Sequence, residues 1–344
     1  MIASFGVLSV ALTFLLARRL VGSVPAALAA AALVAVSPLE VVTAHTLRPD
    51  VALESFTLLT FLALARLDGS TRADVRAGVA VATAISTKFT GVLLLPSFLL
   101  ARAAWPRLLR GLAVAGGAAL LVGALLTPYA WLNPGGFLRG ARYQVAFHYV
   151  NRVEHGYLDN AGFFLGSLAE GLGWPATLLA LAGLPLAWRE RRTWGPVLLL
   201  PAVIVLVMST ADWRYARFVL PALGPMAVLA ALPLARLQAR RGTLAALLAG
   251  ALACAWPLRT SWNYSANIAG QIPRDRALDW IEAEVPSGSV ILDLRPDIGL
   301  GLDRRRYEVL EAVERRSPLD PLVAAHADYV VAGPGLSRRW GPLE

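Results

Sequence analysis

The feature that most constrains this chain is a succession of long apolar stretches, separated by short breaks that carry arginine. Of the 344 residues, 57% are hydrophobic and 16% are charged, whereas a soluble domain has about 25% charged residues. A membrane-spanning helix needs about 20 apolar residues. The pattern therefore predicts an all-α polytopic membrane protein. We identify ten apolar segments, at about 1–17, 20–42, 51–67, 75–87, 89–104, 111–132, 162–188, 194–210, 218–235 and 243–258.

The charges predict the orientation and the domain boundary. Residues 1–258 contain 21 Lys or Arg and 10 Asp or Glu, whereas residues 259–344 contain 11 and 13. With residue 1 outside the cell, 14 of those 21 basic residues fall in the cytoplasmic breaks and seven on the other side, as the positive-inside rule favours. The basic residues are 31 arginines and one lysine, and alanine is abundant, which is typical of a GC-rich bacterial genome. We therefore expect a multi-span membrane domain over 1–258 in the bacterial inner (plasma) membrane, followed by an extracytoplasmic domain over 259–344.

The C-terminal part, 259–344, has the pattern of a small α/β domain. Residues 274–285 have helical spacing, the segments 289–294 and 327–333 are short apolar strands, and the charged stretch 304–316 is interpreted as a solvated helix. The glycines near residue 300 do not complete a dinucleotide fingerprint, so no nucleotide cofactor is predicted. No basic stripe interleaved with aromatic residues is present, so nucleic acid is not an expected partner.

The most informative passage surrounds Asp50. Asp50 follows Pro49 at the start of an apolar segment, His45 and Arg48 precede it, and Glu54 lies one helical turn further on. Helix capping alone would explain Asp50. It does not explain Glu54, because an ionisable group within a span marks a functional site by default. We therefore place all four charged or titratable side chains in a candidate site.

Lys88 separates the short apolar segments 75–87 and 89–104, which could form a helical hairpin with Lys88 at its tip. One interpretation is that the side chain extends to the membrane interface. The other is that its ammonium group binds a phosphate, for which a compact positive charge is suited. The position alone does not decide between them.

The segment 128–161 is a long loop on the side that Asp50 shares. It contains Tyr129, His148 and His155. Arginines and aromatic residues recur through 139–152, which is typical of an amphipathic helix on the membrane surface. The spacing of the histidines is not a diagnostic metal-ligand pattern, so contacts to a donor or an acceptor remain an open alternative.

A second cationic group lies at Arg214, Tyr215 and Arg217, before the segment 218–235. A belt of aromatic residues and arginine at a helix end is one explanation. However, arginines on the less basic side run against the inside bias, and guanidinium groups bind anions well. We favour anion binding for this group.

Five passages, in this order, resemble the dolichyl-phosphate-mannose protein mannosyltransferase-like family, which includes lipid A aminoarabinose transferase-type enzymes and has the C-type glycosyltransferase fold. They are SPLEVVTAHTLRPDVALESF (37–56), AGVAVATAISTKFTGVLLLP (77–96), RYARFVLPALGPMAVLAA (214–231), DRALDWIEAEVPSGSVILDL (275–294) and ADYVVAG (327–333). The resemblance implies inverting transfer of a sugar from a polyprenyl-phosphate carrier to an extracytoplasmic protein, lipid or glycan acceptor, usually with a divalent metal cation.

By the same resemblance, Asp50 is the catalytic acidic position, and Lys88 with Arg214 and Arg217 would lie near the carrier phosphate. Displacing a phosphate requires cations for the developing charge and a carboxylate to accept the hydroxyl proton. Family members open with a further span and an acidic first loop, which the chain from residue 1 does not contain. The alternatives are a transporter or flippase of a lipid-linked sugar, and an inactive truncated homologue.

Overall fold

The computed structural model describes residues 2–46, 48–149, 156–211, 214–270, 273–293, 301–311 and 326–331. The chain divides into two compact units, Met1–Tyr264 and Ser265–Glu344. Helices dominate the first unit, and a small parallel sheet lies in the second. The predicted fold class, an all-α polytopic membrane protein with a small C-terminal α/β unit, is confirmed.

The described part of the chain contains fifteen α-helices. Within these described residues, five helices are long and apolar enough to cross a membrane, or up to seven if each bent pair forms one span. The helices of the first unit and the one that continues beyond it are α1 Ile2–Val21, α2 Val24–Ala35, α3 Pro38–Ala44, α4 Asp50–Leu64, α5 Thr71–Thr87, α6 Leu95–Ala103, α7 Leu108–Leu126, α8 Tyr129–Leu132, α9 Pro134–Tyr149, α10 Tyr157–Leu172, α11 Trp174–Arg189, α12 Arg191–Met208, α13 Leu220–Arg241 and α14 Thr243–Ala269, with 3-10 helices at Phe89–Leu94 and Ala216–Val219.

Two of the predicted apolar segments, 20–42 and 162–188, each contain a break between two helices. The first is broken between α2 and α3 with a bend of 53°. There Ser37 caps α3 by accepting a hydrogen bond from the backbone N–H of Glu40, and proline follows it. The second is broken between α10 and α11 with a bend of 108°. Gly173 lies at that break with a backbone φ of +94°, a conformation that residues with a Cβ atom rarely adopt.

Lys88 lies at the turn between the two short segments, where the hairpin hypothesis placed it. It ends α5 because its backbone is extended, with φ −156° and ψ 138°. The following 3-10 helix returns closely over α5, so that a Cβ on Gly91 would lie 2.6 Å from the carbonyl oxygen of Ala84. A glycine is therefore required for the chain to turn here.

The core of the first unit is built around α13. Nearly all of its first half is buried, and it packs against α11, α2, α4 and α1. The close approach of α11 depends on Gly183, where a Cβ would collide with the backbone of Leu229. Helix α4 is buried along most of its length as well, so the start of α4 is held rigidly.

The predicted surface helix at 139–152 is observed as α9, which extends to Tyr149 within the described residues and exposes most of its described side chains. A short helix, α8, precedes it, and the amide of Asn133 between the two donates to the Tyr129 hydroxyl at 3.0 Å.

The second unit contains α15 Pro273–Glu284 and the strands β1 Val290–Asp293, β2 Glu308–Glu311 and β3 Tyr329–Val331, in the order β2-β1-β3 and all parallel. The predicted helix 274–285 and the two predicted strands are confirmed. Over its described residues, 304–311, the predicted helix at 304–316 is wrong, because residues 308–311 pair with β1 instead. Burial explains the difference: Tyr307 is buried and donates to the carbonyl of Ile281 at 3.0 Å.

Candidate active site

The end of α3 and the start of α4 position Asp50. After α3 the chain makes a tight turn in which the backbone N–H of Arg48 donates to the carbonyl of Thr46 at 2.8 Å. Pro49 then takes the capping position of α4, without a side-chain cap. The capping interpretation of Asp50 is therefore wrong: its carboxylate is used elsewhere, and it is only 3% exposed.

Two cations from distant parts of the chain meet the Asp50 carboxylate. The ammonium group of Lys88 donates to Oδ1 at 2.5 Å. The Nε atom of Arg217 lies 3.8 Å from Oδ2. We call Asp50, Lys88 and Arg217 the ion-pair cluster. Three separate elements thus bring together three of the residues that the sequence placed in the site.

Aromatic rings line the cationic side of the ion-pair cluster. The Lys88 ammonium lies 5.0 Å from the centre of the Phe218 ring, and the guanidinium of Arg217 lies 5.6 Å from it. The same guanidinium stacks on Tyr215 at 3.9 Å, which is within the range of a cation–π interaction. Both cations are therefore held on ring faces while their side chains stay about one-fifth exposed, at 21% and 22%.

This arrangement matters because the charges differ in their access to water. The Asp50 side chain is 4% exposed, so its negative charge depends on the two cations for stabilisation. The cations are more exposed and carry one net positive charge beyond what Asp50 neutralises. Such a cluster can receive an anion without a further change in the fold.

Glu54 lies one turn below Asp50 and has a different environment. It is fully buried, and its carboxyl group faces Glu40 and the backbone of Gly224. Glu40 is 3% exposed, and none of the four carboxyl oxygens has a well-formed hydrogen bond within the described residues. Two facing carboxyl groups in an apolar interior cannot both be charged, so this pair differs chemically from the ion-pair cluster.

Arg214 contacts a neighbouring group of residues that lie on α10. Its Nε donates to Oδ1 of Asn160 at 2.7 Å, and its guanidinium lies 5.8 Å from the centre of the Phe163 ring. Rings connect this group to the ion-pair cluster: Phe164 contacts Phe163 at 5.2 Å and stacks on Phe218 at 6.5 Å. Phe163, Phe164 and Phe218, which we call the aromatic layer, thus link Arg214 to the ion-pair cluster.

The other predicted site residues lie nearer the surface. His45 is exposed, packs edge-on against Tyr264 at 5.9 Å and approaches the carbonyl of Val41 through Nδ1 at 2.7 Å. Arg48 is exposed and close enough to Arg217 for their charges to interact. Tyr129 is 55% exposed. His155 lies outside the described residues, and for His148 only the helical backbone is described.

The described donor groups do not fit a divalent cation. Within the described ranges, no group of three or more His, Cys, Asp or Glu side chains is arranged to hold a metal ion. The Asp50 carboxylate faces Lys88 and Arg217, and a dication there would be repelled by both. The metal expected from the family resemblance therefore remains a prediction.

The fold and the site together define a class: a multi-pass membrane protein whose helices gather one buried acid and several cations under aromatic rings. Comparison then identifies the relatives. Residues 2–131 match the family described as dolichyl-phosphate-mannose-protein mannosyltransferase. The resemblance seen in the sequence is thereby confirmed, and the matched region contains both Asp50 and Lys88. No curated protein matches the whole sequence significantly.

Among solved structures, the chain is similar to ArnT from Cupriavidus metallidurans bound to undecaprenyl phosphate. The match covers 91% of this chain and 71% of that one, with a TM-score of 0.58 and 15% sequence identity. At this identity the likeness shows the fold. Because it covers 91% of the chain, it extends well beyond residue 131.

The sequence reasoning missed two residues, Phe218 and Asn160. Phe218 directly follows Arg217, but an aromatic residue at a helix start is common in membrane proteins, so nothing set it apart. Asn160 opens a helix far from Arg214 in sequence. Its one signal is a polar amide at the start of an apolar segment, which turn chemistry also explains.

Proposed function

We propose that this protein is a membrane glycosyltransferase that moves a sugar from a polyprenyl-phosphate carrier to a hydroxyl acceptor at the extracytoplasmic face of the bacterial inner membrane. The observation that carries the proposal is the ion-pair cluster, in which Lys88 and Arg217 share one buried carboxylate. The family match and the likeness to a protein with undecaprenyl phosphate bound support it.

In this reaction the acceptor hydroxyl oxygen attacks the anomeric carbon of the sugar. The bond between that carbon and the phosphate oxygen breaks, and polyprenyl phosphate leaves with the electron pair. Attack from the face opposite the phosphate inverts the anomeric centre. Lys88 and Arg217 stabilise the charge that develops on the phosphate, because fixed cations in a site of low polarity act most strongly where charge appears.

We assign to Asp50 the acceptance of the hydroxyl proton. Before the carrier binds, its carboxylate is engaged by the two cations. A bound phosphate competes for the same cations and leaves the carboxylate freer to act as a base. Tyr129, His45 and Arg48 are assigned to the rim, where an acceptor or the sugar enters, and we further propose that the C-terminal unit lies on the same side of the membrane.

Binding of the carrier tests the core of this proposal. Undecaprenyl phosphate is added to the detergent-solubilised protein, and complexes are counted by native mass spectrometry; undecaprenol, which lacks the phosphate, is the control ligand. Lys88→Met and Arg217→Met should each weaken phosphate-lipid binding about tenfold or more, since a hydrogen bond to a charged group contributes about 1.5–3 kcal/mol. Arg19→Met, an exposed arginine at the end of α1, should not.

Equal binding of undecaprenol and undecaprenyl phosphate by the wild-type protein would contradict the proposal. So would unchanged phosphate-lipid binding in both cluster variants. Asp50→Asn separates the roles further: it should bind undecaprenyl phosphate at least as well as the wild type, yet release little of it from a panel of undecaprenyl-phosphate-linked pentoses and hexoses. Retained transfer in that variant would reject Asp50 as the base.

A further inference from the structure

Hydrogen bonds to neighbouring residues fix the orientation of the Asn160 side-chain amide. It lies in the first turn of α10 and is 4% exposed. Its amide nitrogen donates two hydrogen bonds, to the carbonyls of Ser209 at 3.1 Å and Ala211 at 2.9 Å. Carbonyl oxygens only accept hydrogen bonds, so the NH2 group must face them and the amide oxygen must face the other way.

Those two carbonyls belong to the chain leaving α12, whose last residue is Met208. Carbonyl groups at the end of a helix have no partner within the helix. Here the Asn160 amide donates to two carbonyl groups of the residues that follow α12. The side chain therefore joins α10 to the end of α12. This junction lies immediately before the segment that carries Arg214.

The amide oxygen of Asn160 accepts from Nε of Arg214 at 2.7 Å. A hydrogen bond at Nε fixes the plane of the guanidinium and leaves the two terminal nitrogens for other partners. Of these, Nη2 is buried and has no hydrogen-bond partner within the described residues. A buried donor on a charged group is costly unless a ligand completes it.

We propose that Asn160 is a positioning residue, which holds Arg214 so that its terminal nitrogens contact the phosphate of the lipid carrier. The inference rests on the proposed function for the identity of the ligand. A phosphate is the expected ligand because the hydrogen bond at Nε fixes the guanidinium plane and leaves Nη2 without a partner among the described residues. A guanidinium group in this state is suited to donate to the oxygens of an oxyanion. The aromatic layer of Phe163, Phe164 and Phe218 connects this arginine to the cations of the ion-pair cluster.

A double-mutant cycle tests whether Asn160 acts through Arg214. Affinity for undecaprenyl phosphate is measured for the wild type, Asn160→Ala, Arg214→Ala and the double variant. Asn160→Ala should weaken binding about tenfold in the wild type and have almost no effect in the Arg214→Ala background. Equal losses in both backgrounds would show that Asn160 serves only the fold, and would overturn the inference. Asn263→Ala, at an exposed asparagine of α14, is the matched control.

A second measurement does not depend on the lipid. Phenylglyoxal labelling of Arg214, followed by mass spectrometry, should be several-fold faster in Asn160→Ala than in the wild type or Asn263→Ala, because the half-buried guanidinium is no longer held by Asn160 with its Nη2 atom buried. An unchanged labelling rate would overturn the positioning role.

The same labelling identifies the source of the phosphate. Undecaprenyl phosphate should protect Arg214 in the wild type, whereas undecaprenol and inorganic phosphate at equal concentration should not. Protection by inorganic phosphate alone would overturn the lipid assignment. If undecaprenyl phosphate neither binds nor protects, the proposed function fails, and the Asn160→Ala labelling rate still decides whether Asn160 positions Arg214.

Discussion

Removing either partner of the Asp50–Lys88 pair alone should lower the stability of the protein, but by different amounts. Lys88→Met leaves a carboxylate that is 4% exposed with a weaker contact to Arg217, at 3.8 Å. Asp50→Asn removes the buried charge and leaves two cations that still reach water. We therefore expect Lys88→Met to be the more destabilising change, although Lys88 is the more exposed side chain.

The magnitude follows from the geometry. Two unit charges about 4 Å apart attract by about 4 kcal/mol at an effective dielectric constant of about 20. Breaking a buried pair typically costs about 3–5 kcal/mol. Because Lys88 is 21% exposed and Arg217 remains, we expect about 2–3 kcal/mol for Lys88→Met and about 1 kcal/mol for Asp50→Asn. The double variant should be more stable than Lys88→Met alone, with a coupling energy of about 1–2 kcal/mol.

The assay is thermal unfolding of the purified protein in one detergent, followed by the loss of monomer on size-exclusion chromatography after heating. The four proteins of the D50N/K88M cycle are compared at the same concentration, with Arg19→Met as the control for lost surface charge. Additive effects of the two single variants, or a greater loss with Asp50→Asn, would refute the reasoning that the buried carboxylate depends on Lys88.

The remaining predictions concern other parts of the membrane unit. Glu54→Gln should leave the unfolding temperature unchanged or raise it, because Glu54 and Glu40 face each other in an apolar interior and cannot both be charged; a fall of several degrees would show that Glu54 is ionised. Gly111→Ala should lower the unfolding temperature, because a Cβ there would collide with the buried Arg102 guanidinium. Gly116→Ala on the same helix meets no atom and should stabilise by about 0.5–1 kcal/mol.

The sequence was sufficient for the fold class because its strongest signals are local. Long apolar runs specify membrane helices by length alone, and short apolar runs predicted β1 and β3. The breaks at Ser37 and Gly173 were not predicted, because apolar composition continues across them and only the backbone turns. The strand β2 was not predicted because its charged residues are typical of a solvated helix. Its pairing with β1 is a tertiary contact that no local sequence pattern indicates.

For the site, the sequence indicated which residue types were out of place but not which of them meet. Asp50, Lys88 and Arg217 each looked unusual alone, and the fold brings them into one cluster. Glu54 looked equally unusual, yet its carboxyl group faces Glu40. One turn of helix separates the two environments of α4. Periodicity cannot resolve that difference, because it depends on which neighbouring helix covers each turn.

The ion-pair cluster also explains why an anion site in a membrane needs an acid of its own. Lys88 and Arg217 approach the same ring and would repel each other without a counter-charge. Asp50 supplies that charge while no ligand is bound, so the mutual repulsion of the two cations is balanced. A phosphate brings its own negative charge and can replace the carboxylate as their partner. In the proposed reaction, Asp50 is thus released to accept a proton when the carrier phosphate takes its place beside the two cations.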